Sequence, residues 1–236
     1  MLAPEAQALW NDLRTAPELS SFVLIGGSAL ALRIGHRLSE DLNFTTTATR
    51  LPRAVIDRYL FSRPEKWERR DDPAAYDEFQ IAGMELHDYQ QDFTVDGAVK
   101  VTFFTANNAL GKALDDPSFD EKGPRLAKLD ELFQSKAILS AARSRTRDRF
   151  DLFTLFTKHG FSSTDYRKAF IRSGIPSQWE AGIGRMCSGN VPQSDEGYLH
   201  LVENPPTLDE MLGFFHALRD KIEQQIASKS TDSEVS

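Results

Sequence analysis

Apolar residues recur along the chain in two rhythms, and the switches between them mark its elements. Between residues 3 and 14 they stand at Ala6, Leu9, Trp10 and Leu13, the i, i+3, i+4, i+7 spacing of one helix face. Phe22-Val23-Leu24-Ile25 is an unbroken apolar run of strand length. Gly26-Gly27-Ser28 interrupts it, and the helix formers Ala29-Leu30-Ala31-Leu32-Arg33 follow, with Ser28 placed to cap their first turn. Asp41 to Thr45 then alternates, so that a strand would carry Asp41, Asn43 and Thr45 on one face and Leu42 and Phe44 on the other.

The same reading continues along the chain. Residues 50–61 predict a helix with Pro52 in its first turn and Leu51, Val55, Ile56, Tyr59 and Leu60 on one face. Residues 62–77 read as loop with room for a short piece of strand, and Phe79–Ala82 and Met84–Leu86 as weak strands. Phe93-Thr94-Val95, Asp96-Gly97 and Val99–Phe104 read as a hairpin. Residues 105–124, rich in Gly, Pro, Asn and Asp, mark a boundary. Beyond it the pattern is helical: 126–156 with a basic linker, 162–172, 176–187, and a last helix capped by Thr207. The reading is thus an α/β (α+β) part over residues 1–115, an all-helical part over 122–228, and a disordered tail over 229–236.

Two charged patterns stand out in the helical part. Leu129, Leu132, Phe133 and Lys136 share one stripe, so the lysine is carried with apolar residues and must find an anionic partner or an opening. On the next helix Asp148, Asp151, Leu152 and Leu155 form the matching stripe. A salt bridge pinning the two helices explains the pattern as well as a functional site does.

Composition narrows the class. With 236 residues, 40% hydrophobic and 27% charged, the chain resembles ordinary globular proteins. No window approaches a membrane span, and the N-terminal residues lack a signal pattern, so a cytoplasmic protein with no membrane contact is expected. The single Cys187 excludes a disulfide framework, and the five histidines lack metalloprotease spacing. The net charge of −7 argues against a uniformly basic nucleic-acid coat. It is uneven, however: residues 121–172 carry twelve Lys/Arg against six Asp/Glu. Such a segment serves either as a phosphate-facing wall or as a solvated, salt-bridged helix surface.

The chemistry concentrates in residues 22–45. Glycines allow a close backbone approach, and a helix N-terminus offers N–H groups to phosphate. A strand presenting Asp41 and a second oxygen donor two residues on has the ligand type of a hard cation such as Mg2+. The P-loop and Rossmann glycine patterns are absent, as is the Gly-x-Ser-x-Gly elbow of serine hydrolases.

Gly-Gly-Ser followed after twelve residues by Asp-x-Asn-Phe resembles the signature of polymerase-β-type nucleotidyltransferases. The fuller string, with Gly35-His36-Arg37 and Ser39-Glu40-Asp41-Leu42, resembles the AbiEii/AbiGii toxins of abortive-infection and type IV toxin–antitoxin systems. Leu129–Ala137 and Arg143–Leu152 resemble the later motifs of the same toxins, a Lys-bearing helix and an Arg-Asp-x-x-Asp-Leu helix.

The resemblance implies a polymerase-β-like nucleotidyltransferase core with a mixed sheet and an NTP held between core and helical part. It implies transfer of a nucleoside monophosphate from an NTP to an acceptor, plausibly a tRNA 3′ end, and a cognate antitoxin as partner. It assigns Gly26, Gly27 and Ser28 to the nucleotide, Asp41 and Asn43 to Mg2+, and Lys136 to a phosphate. Asp148 and Asp151 would orient Lys136 or act as base. Two departures stand against it. Asn43 occupies a position where the family pattern has Asp. The strand expected to bring a third carboxylate shows only Lys100 and Thr102, with Asp96 in the turn and Asp92 ahead of the hairpin. The alternative is therefore a degenerate nucleotide-binding or partner-binding module without transfer activity.

Overall fold

The computed structural model describes residues 1–114 and 122–234, with side chains through Ser228. Two compact units divide at Leu132 and Phe133.

The first unit is built on a six-stranded mixed sheet ordered β3-β4-β5-β2-β1-β6. Helix α1 (Pro4–Leu13) precedes β1 (Val23–Ile25), which runs directly into α2 (Gly26–Ile34). Then come β2 (Leu42–Thr46), α3 (Arg53–Phe61), β3 (Trp67–Arg69), α4 (Pro73–Ile81), β4 (Gln90–Val95), β5 (Val99–Thr105), α5 (Asn108–Ala113) and β6 (Arg125–Leu126). β2 lies parallel to β5 and antiparallel to β1, and the β4–β5 hairpin closes through Asp96 and Gly97, both at positive φ.

Strand alternation divides the sheet chemically. On one face Phe44 and Phe103 stack at 5.3 Å, with Trp10 of α1 6.2 Å from Phe44 and Phe22 5.2 Å from Phe103. Leu24, Leu42, Phe44, Val101 and Phe103 are all buried there. The opposite face carries Asn43, Thr102 and Asp92.

The structure departs from the sequence reading in places. Residues 73–81, read as loop and weak strand, form α4, because Asp72 caps it by accepting from the Ala74 N–H at 3.0 Å and Pro73 pre-sets the first turn. Leu86–Asp88 is a single 3-10 turn rather than a strand. β4 begins at Gln90, three residues before the expected Phe93. Arg125–Leu126, assigned to the helical part, pair with β1 as an edge strand, tied by Arg33 donating to the carbonyls of Leu126 and Ala127. The boundary residues 115–121 and the end of the tail, 235 and 236, lie outside the described residues.

Helix α6 (Leu129–Ser140) spans the division between the units. The second unit continues with α7 (Thr146–Lys158), α8 (Ser163–Arg172), α9 (Trp179–Cys187) and α10 (Leu208–Glu234). Its core is aromatic: Phe133 stacks on Phe161 at 4.0 Å and meets Phe156 edge-on, and Phe156 touches Tyr166, Phe214 and Phe215. Ser162 and Asp165 form a capping box on α8, and Thr207 with Glu210 forms one on α10.

Candidate functional site

The glycine turn sits where β1 ends, and the two glycines are required for different reasons. Gly26 has φ +79°, a left-handed conformation that side chains rarely adopt, and a Cβ there would meet the Asn43 amide nitrogen at 3.5 Å. A Cβ on Gly27 would collide with Nη2 of Arg37 and approach Cζ to 3.1 Å. Helix α2 begins at Gly26, so Ser28 lies inside its first turn rather than capping it. The N-cap position is Ile25, and the buried Ser28 hydroxyl turns instead to Ser39 Oγ at 2.9 Å and donates to the Asp41 carbonyl. The serine expected to cap the helix therefore fastens the glycine turn to the segment that carries Asp41.

Register assembles the polar face. Ile25 stands opposite Asn43, Asn43 opposite Thr102, and Thr102 opposite Asp92. Directly opposed residues share a face, so Asn43, Thr102 and Asp92 form one row across β2, β5 and β4, with Asp41 two residues before Asn43 at the entry to β2. Thr102 donates to Asp92 Oδ1 at 2.6 Å, and Gln90 donates to Oδ2 at 2.7 Å. The residue ahead of the hairpin is thus a strand residue that faces the row. It brings a carboxylate to the sheet, held by the threonine that occupies the expected third position. The donors here are all oxygen, the set suited to Mg2+. Among the described residues no group of three or more His, Cys, Asp and Glu side chains is gathered for a metal ion.

The other predicted residues meet in the second unit. Lys136, 4% exposed, places Nζ 2.7 Å from Asp148 Oδ1 and 2.6 Å from Asp151 Oδ2. Arg143 adds a second cation on Asp148, at 2.7 Å. Burial alone pushes the Asp148 carboxyl up, but the charges and hydrogen bonds of Lys136 and Arg143 outweigh it and hold the group below the usual carboxylate range. The helix N-terminus behind this cluster is fixed from a distance. Asp195 accepts from the Thr146 N–H and hydroxyl at the start of α7, both at 2.7 Å, and these bonds, with one from the Gly197 N–H and the charge of Arg145, outweigh its burial and hold its carboxyl low.

A mixed sheet with a glycine turn at the head of α2 and carboxylates on its polar face is the architecture of a nucleotidyltransferase. Two solved structures share this fold. One is MenT4, a nucleotidyltransferase toxin of Mycobacterium tuberculosis H37Rv, at 11% identity and a TM-score of 0.52, covering 89% of this chain and 81% of that one. The other is an H. pylori protein proposed to be a nucleotidyltransferase, at 16% identity and a TM-score of 0.50, covering 94% and 96%. The chain belongs to the family described as the nucleotidyl transferase AbiEii toxin of type IV toxin–antitoxin systems, which matches residues 7–225. A curated relative, the uncharacterized protein aq_aa25 of Aquifex aeolicus (strain VF5), is 28% identical over 151 residues. That match spans 63% of this chain and 64% of the relative.

Proposed function

We propose that this chain transfers a nucleoside monophosphate from an NTP to an acceptor, the 3′ end of tRNA, as the toxin of a toxin–antitoxin pair in the cytoplasm. The observation that carries the reading is the placement of Gly26–Ser28 beside a sheet row bearing Asn43, Thr102 and Asp92, with Asp41 at its edge.

In this reading the α2 N-terminus and the glycine backbone receive the triphosphate. Asp41, the Asn43 carbonyl and Asp92 are the residues that would hold Mg2+, whose charge neutralises the triphosphate oxygens when it is bound. Asp92 supports this assignment because it restores an anion to a face where Asn43 supplies only a neutral oxygen. Thr102 and Gln90 orient that carboxylate and leave it further lone pairs. Lys136 is the phosphate-directed cation, and Asp148 and Asp151 hold its ammonium or accept the proton of the acceptor hydroxyl.

The neutral Asn43 also favours a second reading, a nucleotide-binding protein that no longer transfers. Induced expression in bacteria separates these readings from a partner-binding module. Growth arrest that Asp41→Ala relieves is the expected result. Arrest that survives Asp41→Ala would place toxicity in partner binding and contradict the proposal. Cells that grow normally with the folded parent chain would favour the binding-only reading.

A further inference from the structure

The loop between α2 and β2, residues 35–41, is held at three points. Ser39 meets the Ser28 hydroxyl and exchanges backbone hydrogen bonds with the N-terminal segment: Ala3 N–H donates to Ser39 at 2.9 Å and Ser39 N–H donates to Met1 at 3.0 Å. The Asp41 carbonyl accepts from Ser28. The third point is Arg37, only 6% exposed, whose Nη1 donates to the Leu38 carbonyl at 3.0 Å while its guanidinium, Nη2 foremost, stands against Gly27. A methyl group at residue 27 has no room unless that guanidinium leaves: it would meet Nη2, Cζ and Nη1 together.

A buried guanidinium is costly to place, and it is a fixed charge wherever it is placed. Here it stands against the second residue of α2, beside N–H groups that already favour anions. We propose that Arg37 is a positioning residue for the nucleotide. It locks the Gly26–Ser28 turn to the loop that delivers Asp41, keeps a positive charge beside that turn, and holds its place only while residue 27 is glycine. The identity of the ligand rests on the nucleotidyltransferase reading above, whereas the packing of Arg37 on Gly27 does not.

The test is a double-mutant cycle on the full chain with Gly27→Ala, Arg37→Ala and the pair. Binding of ATP, GTP, CTP and UTP with Mg2+, each in turn, is followed by titration calorimetry beside the thermal midpoint. Each single substitution is expected to weaken the tightest NTP by about tenfold at unchanged stoichiometry, and the pair to bind no more weakly than Arg37→Ala alone. A loss of about a hundredfold in the pair, the product of the singles, would overturn the inference. So would a fall in stoichiometry at unchanged affinity, the signature of a merely structural arginine. Arg37→Lys, which keeps the charge without the planar fork, should recover part of the affinity and replaces Arg37→Ala if that variant does not fold. If the parent binds none of the four NTPs, the nucleotidyltransferase reading fails. The packing is then judged from the thermal midpoints, where non-additive shifts support it and additive ones overturn it.

Discussion

Lys136 bears on stability because two buried carboxylates pair with it. Lys136→Met would take the lysine from both buried carboxylates, with Arg143 still on Asp148, at a cost of about 3–5 kcal/mol measured by urea denaturation. Asp148 carries a pH signature as well. Its folded-state proton affinity is depressed, burial being outweighed by Lys136 and Arg143, so its stabilising contribution is complete above the ordinary carboxylate range. That contribution is lost as pH falls through the lower folded value. Asp148→Asn should therefore be less stable than the parent at pH 7, with a shallower loss of stability below about pH 4. Equal slopes for the two proteins in acid would place the depressed group elsewhere. The pairing of Lys136 with the two aspartates was legible in the sequence, since helical spacing alone puts all three on apolar stripes. Asp92 was not. Gln91 takes the core-facing position before Phe93, 1% exposed and donating to the His87 carbonyl, so the apolar period that announces a strand stops short of it.

Single capping and packing contacts decide several elements. Asp195 closes the N-terminus of α7 from 49 residues away, and Asp195→Ala should cost about 1–2 kcal/mol in urea denaturation. Gly182 in α9 faces Tyr166 and Ser140, and a Cβ there would come 2.5 Å from Tyr166 Oη and 2.6 Å from Ser140 Oγ. Gly182→Ala should thus strain the Ser140–Tyr166 hydrogen bond and cost about 1–3 kcal/mol, read from the same denaturation curves. The β4–β5 hairpin was legible because Asp-Gly supplies the two positive-φ residues that its turn requires. Helix α4 was misread because it buries no side chain and so shows no helical period. Its start was nevertheless written in Asp72-Pro73, a cap followed by a residue suited to the first turn.

At the scale of the molecule, the mixed sheet, the helical C-terminal region and the toxin family were all readable from motifs that recur in two separate blocks. No helix of the described residues is long and apolar enough to cross a membrane. What motif spacing could not convey is strand register, which is a long-range property: Asn43, Thr102 and Asp92 come from three strands and meet only when the sheet forms. In the proposed function this row, with Asp41, is where nucleotidyl transfer takes place. The most direct measurement is transfer of label from α-32P-labelled NTPs to total tRNA with Mg2+, comparing the parent chain, Asn43→Asp and Asp92→Asn. Label is expected from the parent, more from Asn43→Asp, and at least about tenfold less from Asp92→Asn at unchanged thermal midpoint. Undiminished transfer by Asp92→Asn, or none from the folded parent and from Asn43→Asp alike, would contradict the proposal.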